Sequence, residues 1–325
     1  MYEWEINTRE LSNLRAILDH CLAGDDTFQL HGSYGDIYIQ AACVYEKIIK
    51  ENKKYNIFID QRYGGLLKKH EKKGCRILLI SGNEVNRLFN KYEILGNKIN
   101  LPIRMLPTIY PMIPELIADG LLDYNEFVRK LVDLQPKQKY IGIEDEEDFE
   151  IAKTLLIEKK IKLNKTILFS LDNNTHNEII EEDALKLTKY FNNNGWDILI
   201  NDSGSIGNLS TKYNELKKKY KSIKVPPELS VSIVKNCGLY IGGSNGFTTI
   251  QGLFNKTPGV HILGDGIHFE GKYLIDKFQN KVDIQSCKLS EASKNHFNYN
   301  HLEVNYTNNK IEDVLLEIEK YLRDE

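Results

Sequence analysis

The sequence predicts an α/β protein of two doubly wound parallel sheets facing a cleft, with a helix closing the chain. Three observations carry that reading. Short runs rich in Ile, Leu, Val and Phe alternate with amphipathic helical stretches, the pattern of a parallel sheet covered on both faces. The rhythm occurs twice, broken once by the polar segment Gln135-Pro136-Lys137-Gln138-Lys139. At 325 residues the chain exceeds one ordinary core and suits two domains of about 150 residues.

In the first half, an amphipathic helix is expected over Thr8–Cys21. The run TFQLH at Thr27–His31 then reads as the first strand, ending in Gly32-Ser33-Tyr34-Gly35-Asp36. A helix is expected over Ile39–Lys50, strands over Tyr55–Asp60 and Arg76–Ser81, and a short helix over Gly65–Lys72. The proline-marked stretch Leu101–Leu134 reads as a loop followed by helices. These residues, 1–138, form the first expected domain.

In residues 139–325 the alternation restarts. Helices are expected over Glu144–Lys159, Glu181–Asn193, Glu228–Asn236, Phe247–Phe254 and Ile311–Arg323. Strands are expected over Thr166–Leu171, Trp196–Asn201, Ser222–Val225, Leu239–Ile241 and Val260–Leu263. Two Rossmann-like domains and a final helix result.

Composition narrows the function. Hydrophobic residues make up 41% and charged residues 27%, which describes a soluble globular protein. A net charge of −3 gives no overall basic field, so a nucleic-acid partner is not expected. Basic runs at Lys47–Lys54, Lys68–Lys73 and Lys217–Lys219 read as solvated helix faces, with peripheral contact to an anionic membrane surface as the alternative. The N-terminal MYEWEINTRELSN has no apolar signal segment, and no run reaches the roughly 18 apolar residues of a membrane span. Cys21, Cys43, Cys75, Cys237 and Cys287 are odd in number and never paired as C-x-x-C, which suits buried thiols in a reducing cytoplasm.

The richest segment is Leu239–Leu253, LYIGGSNGFTTIQGL. An apolar strand enters the turn Gly242-Gly243-Ser244-Asn245-Gly246 and leaves as a helix. Backbone N–H groups and hydroxyls at the positive end of a helix make a place for phosphate without a lysine. The competing reading is a tight turn that needs glycine only for its backbone angles.

The chain resembles the GT-B glycosyltransferases, most closely the heptosyltransferase family that builds lipopolysaccharide cores. Three segments carry the resemblance. Ser33-Tyr34-Gly35-Asp36 stands where that family has a G-D turn after its first strand. Ile141–Leu171 resembles its entrance to the second domain. Pro227–Gly264 resembles its passage of helix, strand, D-S-G-x-x-H turn and helix that binds the donor diphosphate. This chain departs at Ser244, where the family has Asp, at Thr249, where it has His, and near Asn177, where the only basic side chain is His176 in place of a Lys.

The resemblance implies an inverting glycosyltransferase that moves a heptose or another hexose-like sugar from a nucleotide-sugar donor to a glycan or glycolipid acceptor. Lipopolysaccharide or capsule is the expected acceptor, and the cytoplasm the expected location, with peripheral contact at the inner face of the plasma membrane as the alternative. It implies an acceptor-binding first domain and a donor-binding second domain. Such a reaction needs one general base and dipoles or cations for the leaving nucleoside diphosphate. Asp36 is the candidate base; a helix cap is its alternative role. Ser244, Asn245, Gly246, Thr248, Thr249, Glu228 and Ser170 are the donor-side candidates, with Glu228 also explained by its place at a helix start. His31, Tyr34 and Arg62 are the acceptor-side candidates, each with surface or packing roles as alternatives. His261 reads as structural, and His268 flanks the Gly264-Asp265-Gly266 loop. No D-x-D triplet occurs, so no metal cofactor is expected and the nucleotide-sugar is a substrate. A nucleotide-sugar epimerase or hydrolase, or a non-catalytic sugar-nucleotide-binding protein, are the alternatives.

Overall fold

The computed structural model describes residues 12, 26–71, 75–80, 84, 103–106, 124–135, 140–172, 179–203, 213–243, 245–263, 296–298, 300–306 and 310–324. The chain divides into two compact units, Met1–Ile143 and Glu144–Glu325. The expected helix at 8–21, except for the helical residue 12, and residues 136–139 of the polar segment lie outside the described residues.

The first unit holds β1 (Asp26–Leu30), α1 (Tyr34–Glu51), β2 (Tyr55–Ile59), α2 (Gly65–Lys68), β3 (Cys75–Leu79), β4 (Ile103–Leu106) and α3 (Tyr124–Leu131). The four strands are parallel in the order β3-β2-β1-β4. The strand order therefore reverses at β1, between β2 and β4. β4 arises inside the stretch read as loop and helices; flanking prolines hid it, and its pairing with the distant β1 defines it. α1 begins at Tyr34, five residues before the expected Ile39, because Ser33 takes the N-cap position immediately after β1. It ends at Asn52, whose left-handed backbone (φ +51°) lets its N–H bond to the Ile48 carbonyl.

α1 is buried continuously from Gly35 to Ile48. Its polar residues in that stretch have fixed partners. Arg129 of α3, fully buried, donates from Nη1 and Nη2 to Glu46 at 2.6 and 2.8 Å and from Nε to the Gln135 carbonyl at 2.8 Å. Lys47 is also buried and pairs with Glu51, which corrects the reading of a solvated face at that one residue; Lys50, Lys53 and Lys54 are exposed. Lys50 pairs with Glu46 and Lys53 with Glu51.

The second unit holds α4 (Glu146–Glu158), β5 (Thr166–Ser170), α5 (Glu181–Asn193), β6 (Asp197–Asn201), α6 (Asn214–Lys219), β7 (Lys221–Ile223), α7 (Ser230–Cys237), β8 (Gly238–Gly243), α8 (Gly246–Phe254), β9 (Gly259–Leu263), β10 (His301–Asn305) and α9 (Ile311–Asp324). Six parallel strands run β10-β9-β8-β5-β6-β7, with the reversal between β5 and β8. One sheet face, with Ile167, Phe169, Ile200, Ile241 and Ile262, packs on Leu187 and Phe191 of α5 and Val314 and Ile318 of α9. α7 and α8 pack against β5, β8 and β9. α7 starts at Ser230 after a single 3₁₀ turn at Pro227–Leu229, two residues later than expected. Lys217 of the third basic run pairs with Asp202 and Lys218 with Glu215. No helix among the described residues is long and apolar enough to cross a membrane.

Candidate functional site

In open α/β sheets, ligands bind beyond the carboxyl ends of the strands where the strand order reverses. In the second unit that place lies at the ends of β5 and β8, where Ser170 is in register with Gly242. Here α8 begins. Its N-cap is Asn245, in extended backbone, whose side-chain oxygen accepts the Thr248 N–H at 2.9 Å. The other end of the same amide donates to the main-chain carbonyls of Ser170 and Asp172 at 2.8 and 2.7 Å. One side chain thus caps α8 and fastens it to the end of β5. The N–H groups of Gly246 and Phe247, the first of the helix, have no partner among the described residues.

Around this cap the strand-end face is polar. Ser170, Gly242, His261 and Glu303 form one cross-strand row through β5, β8, β9 and β10. Gly242 is required sterically, since a Cβ there would lie 2.0 Å from Thr248 Oγ1. Thr248 is fully buried and its hydroxyl has no partner among the described residues; Thr249 donates its hydroxyl to the Asn245 carbonyl at 3.1 Å. His261 is buried in β9 beside Glu303, with Nδ1 3.4 Å from Oε1. Neighbouring His301 is driven down to about 4 by burial and stays neutral at physiological pH.

Glu228 is half-buried in the 3₁₀ turn before α7. The carboxylate at the start of α7 is Glu144, which accepts the Val231 and Ser232 N–H groups at 2.9 and 2.7 Å. Ser244, His176, Asn177, Gly264-Asp265-Gly266 and His268 lie outside the described residues.

The first unit carries its own cluster at the end of β1. Gly32 has φ +123°, a backbone that favours glycine, and turns the chain from β1 into α1. Buried Gln40 holds His31 at both its N–H and its carbonyl, each at 2.8 Å. Asp36 is not the cap residue. It occupies the third helical position, and its Oδ2 accepts the Ser33 N–H at 3.0 Å and the Ser33 hydroxyl at 2.8 Å, the return half of a capping box.

Tyr34 stacks on Tyr63 with ring centroids 5.8 Å apart, joining the turns after β1 and β2. Arg62 lies over Tyr63, and its guanidinium makes a two-pronged pair with Asp60 at 2.9 Å on both arms. That hydrogen-bonded pair holds the Asp60 carboxyl below the usual carboxylate range. Burial raises the Tyr63 phenol, with Asp60 and Asp36 adding to the rise and Arg62 opposing it. The structure thus brings Tyr34, Asp36, Asp60, Arg62 and Tyr63 into one electrostatic neighbourhood. Any anion approaching Arg62 must share it with Asp60.

No group of three or more His, Cys, Asp or Glu that could hold a metal ion occurs among the described residues. The cysteines described, Cys43, Cys75 and Cys237, are buried; burial pushes the thiols of Cys75 and Cys237 up to about 12.

The whole chain can be compared with known proteins. No protein-family pattern matches it, and no curated protein matches it in sequence. Solved structures do match. The Escherichia coli ADP-heptose lipopolysaccharide heptosyltransferase II aligns over 92% of this chain and 99% of its own, with TM-score 0.57 and 8% identity. The E. coli heptosyltransferase WaaC, solved with ADP, aligns over 91% and 99%, with TM-score 0.56 and 10% identity. A family 9 glycosyl transferase from Veillonella parvula aligns over 93% and 98%, with TM-score 0.55 and 10% identity.

The chain has the GT-B fold. Within it, the sequence pointed to the turn at Gly242–Gly246 and to Gly35-Asp36. It did not point to Asn201, Gln40, Glu144 or Asp60, whose work is to hold other residues. Of these, only Asp60 leaves a local trace, two residues before Arg62 in the turn after β2.

Proposed function

We propose that the protein is a metal-independent inverting glycosyltransferase that takes a sugar from a nucleotide-sugar and passes it to a bacterial surface glycan or glycolipid, such as lipopolysaccharide or capsule. The observation that carries this reading is the Asn245-capped start of α8 at the β5–β8 reversal, in a fold shared with heptosyltransferases. One of those relatives is solved with ADP and another structure of it with ADP-2-deoxy-2-fluoro heptose. For this chain the donor diphosphate would sit at Ser244, Asn245, Gly246, Thr248 and Thr249, with Ser170 beside it and Glu228 toward the nucleoside.

The chemistry follows from those roles. An acceptor hydroxyl forms a bond to the anomeric carbon as the bond from that carbon to the diphosphate breaks. The proton passes to Asp36, and the negative charge leaves with the nucleoside diphosphate. The N–H groups and helix dipole at Gly246 and Phe247 stabilise that charge, and the absence of a D-x-D triplet leaves the work to them. The acceptor would use the cluster of His31, Tyr34 and Arg62, with the Tyr34–Tyr63 stack as a platform for a sugar face.

Thermal unfolding in the presence of UDP-, GDP-, ADP- and CMP-sugars tests the reading, because a ligand that binds only the folded protein raises its midpoint. One donor is expected to raise it, and product separation with EDTA present is expected to show transfer. A raised midpoint with hydrolysis or isomerisation alone would indicate the epimerase or hydrolase reading; binding without turnover would indicate a sugar-nucleotide-binding protein. No shift with any donor would overturn the proposal.

A further inference from the structure

We propose that Asn201, at the end of β6, is a positioning residue that makes the Ser170 hydroxyl an obligatory hydrogen-bond donor to bound ligand. The inference rests on the reading of the β5–β8 reversal as the donor diphosphate site.

A serine hydroxyl can donate or accept, and which it does is decided by its neighbours. The Asn201 amide is nine-tenths buried and its orientation is fixed by two contacts. Its Oδ1 accepts the Ser203 backbone N–H at 3.0 Å, so that end must be the oxygen. Its Nδ2 then faces Ser170 Oγ at 3.1 Å and donates to it. Reversing the amide would set two N–H donors against each other at Ser203. Ser203 is itself held, its hydroxyl donating to the Val225 carbonyl at 3.1 Å.

Ser170 Oγ is therefore an acceptor on its Asn201 side, and its proton must point elsewhere. Among the described residues no acceptor receives it, although Ser170 is only 4% exposed. The main-chain carbonyl of Ser170 is occupied by Asn245 Nδ2 at 2.8 Å, and Asn245 is the cap of α8. A chain of oriented groups thus runs from Ser203 through Asn201 and Ser170 to the start of α8, across the ends of β6, β5 and β8. It leaves one hydroxyl proton unspent at the strand edge where a phosphate would lie. A fixed donor loses no orientation on binding and discriminates for anionic oxygen acceptors, which is the chemistry of a diphosphate.

Binding of ADP, UDP, GDP and CDP to the wild type, measured by calorimetric titration, supplies the probe; the nucleotide that binds is carried through the variants. Asn201→Asp keeps the shape of the amide but offers two acceptor oxygens, one to the Ser203 N–H and one to the Ser170 proton. Ser170→Ala removes the proton itself and is expected to weaken the nucleotide about tenfold or more. Asn201→Asp is expected to weaken it at least as much, and the double variant by much less than the product of the two. Unfolding midpoints of all variants, read alongside, separate lost binding from lost folding. Where Asn201→Asp fails to fold, the cycle of Asn201→Ala with Ser170→Ala reads the same coupling.

Independent, multiplicative effects would overturn the inference, as would unchanged binding in Ser170→Ala, while leaving the donor site standing. If none of the four nucleotides binds the wild type, the donor-site reading falls and this inference falls with it.

Discussion

The Asn245 side chain spans 2.8 Å to the Ser170 carbonyl while capping α8 through the Thr248 N–H at 2.9 Å. One amide therefore decides both where the helix starts and how it sits on the neighbouring strand.

Replacing Asn245 by Ala removes the cap and leaves the carbonyls of Ser170 and Asp172 without that donor. A loss of about 1 to 3 kcal/mol in unfolding free energy is expected, read by urea denaturation. Asn245→Asp keeps the oxygen that receives Thr248 but sets a carboxylate against two carbonyls, so it is expected to be no more stable than Asn245→Ala. Equal stability of Asn245→Asp and the wild type would show that only the cap matters.

The buried Glu46–Arg129 pair ties α1 to α3. Burial raises the Glu46 carboxyl, but hydrogen bonds from Arg129 and Lys50 outweigh it and hold it below the usual carboxylate range. Arg129→Met is expected to destabilise by about 3 to 5 kcal/mol, because it leaves a buried carboxylate without its main partner. Adding Glu46→Leu is expected to recover much of that loss. A double variant no more stable than Arg129→Met would contradict this account.

Hydrogen bonds from Lys47 and Tyr55 hold the Glu51 carboxyl at about 2. The folded value lies below the unfolded one, so this contribution is complete above about pH 4.5 and fades as pH falls toward 2. Glu51 is about a third exposed, which limits its size to about 1 kcal/mol. Comparing the unfolding midpoints of the wild type and Glu51→Gln across that interval checks it: the gap between them is expected to narrow on acidification. A constant gap would show that the ionised carboxylate is not what stabilises.

Much of the fold was legible because its strands have apolar, β-branched centres: TILFS, DILIN and GVHIL each announce a strand buried on both faces. β4 and β10 were not read, since IRML and HLEVN mix charge with apolar residues and are defined by their partners β1 and β9. The early start of α1 was written in Ser33 and Asp36, but Gly35 inside the first turn disguised it. At the candidate site, the glycine-rich turn showed itself by composition. Asn201 and Gln40 did not, because an amide that orients a residue in another segment leaves no local pattern.

Asp36 is a further case where one residue holds two readings. Asp36→Asn keeps an oxygen for the Ser33 N–H but removes most of the basicity. If Asp36 is the general base, turnover is expected to fall a hundredfold or more while donor binding and the unfolding midpoint stay nearly unchanged. Normal turnover with reduced stability would make Asp36 the return partner of the Ser33 cap alone, and His31 would be the next residue to replace.

In the proposed reaction the start of α8 receives the diphosphate of a nucleotide-sugar. A crystal structure of the protein with the nucleoside diphosphate of the donor that stabilises it tests this most directly. Phosphate oxygens are expected within about 3.2 Å of the Gly246 and Phe247 N–H groups, with the Ser170 hydroxyl donating to the same ligand. A nucleotide bound elsewhere, with those N–H groups facing solvent, would contradict it.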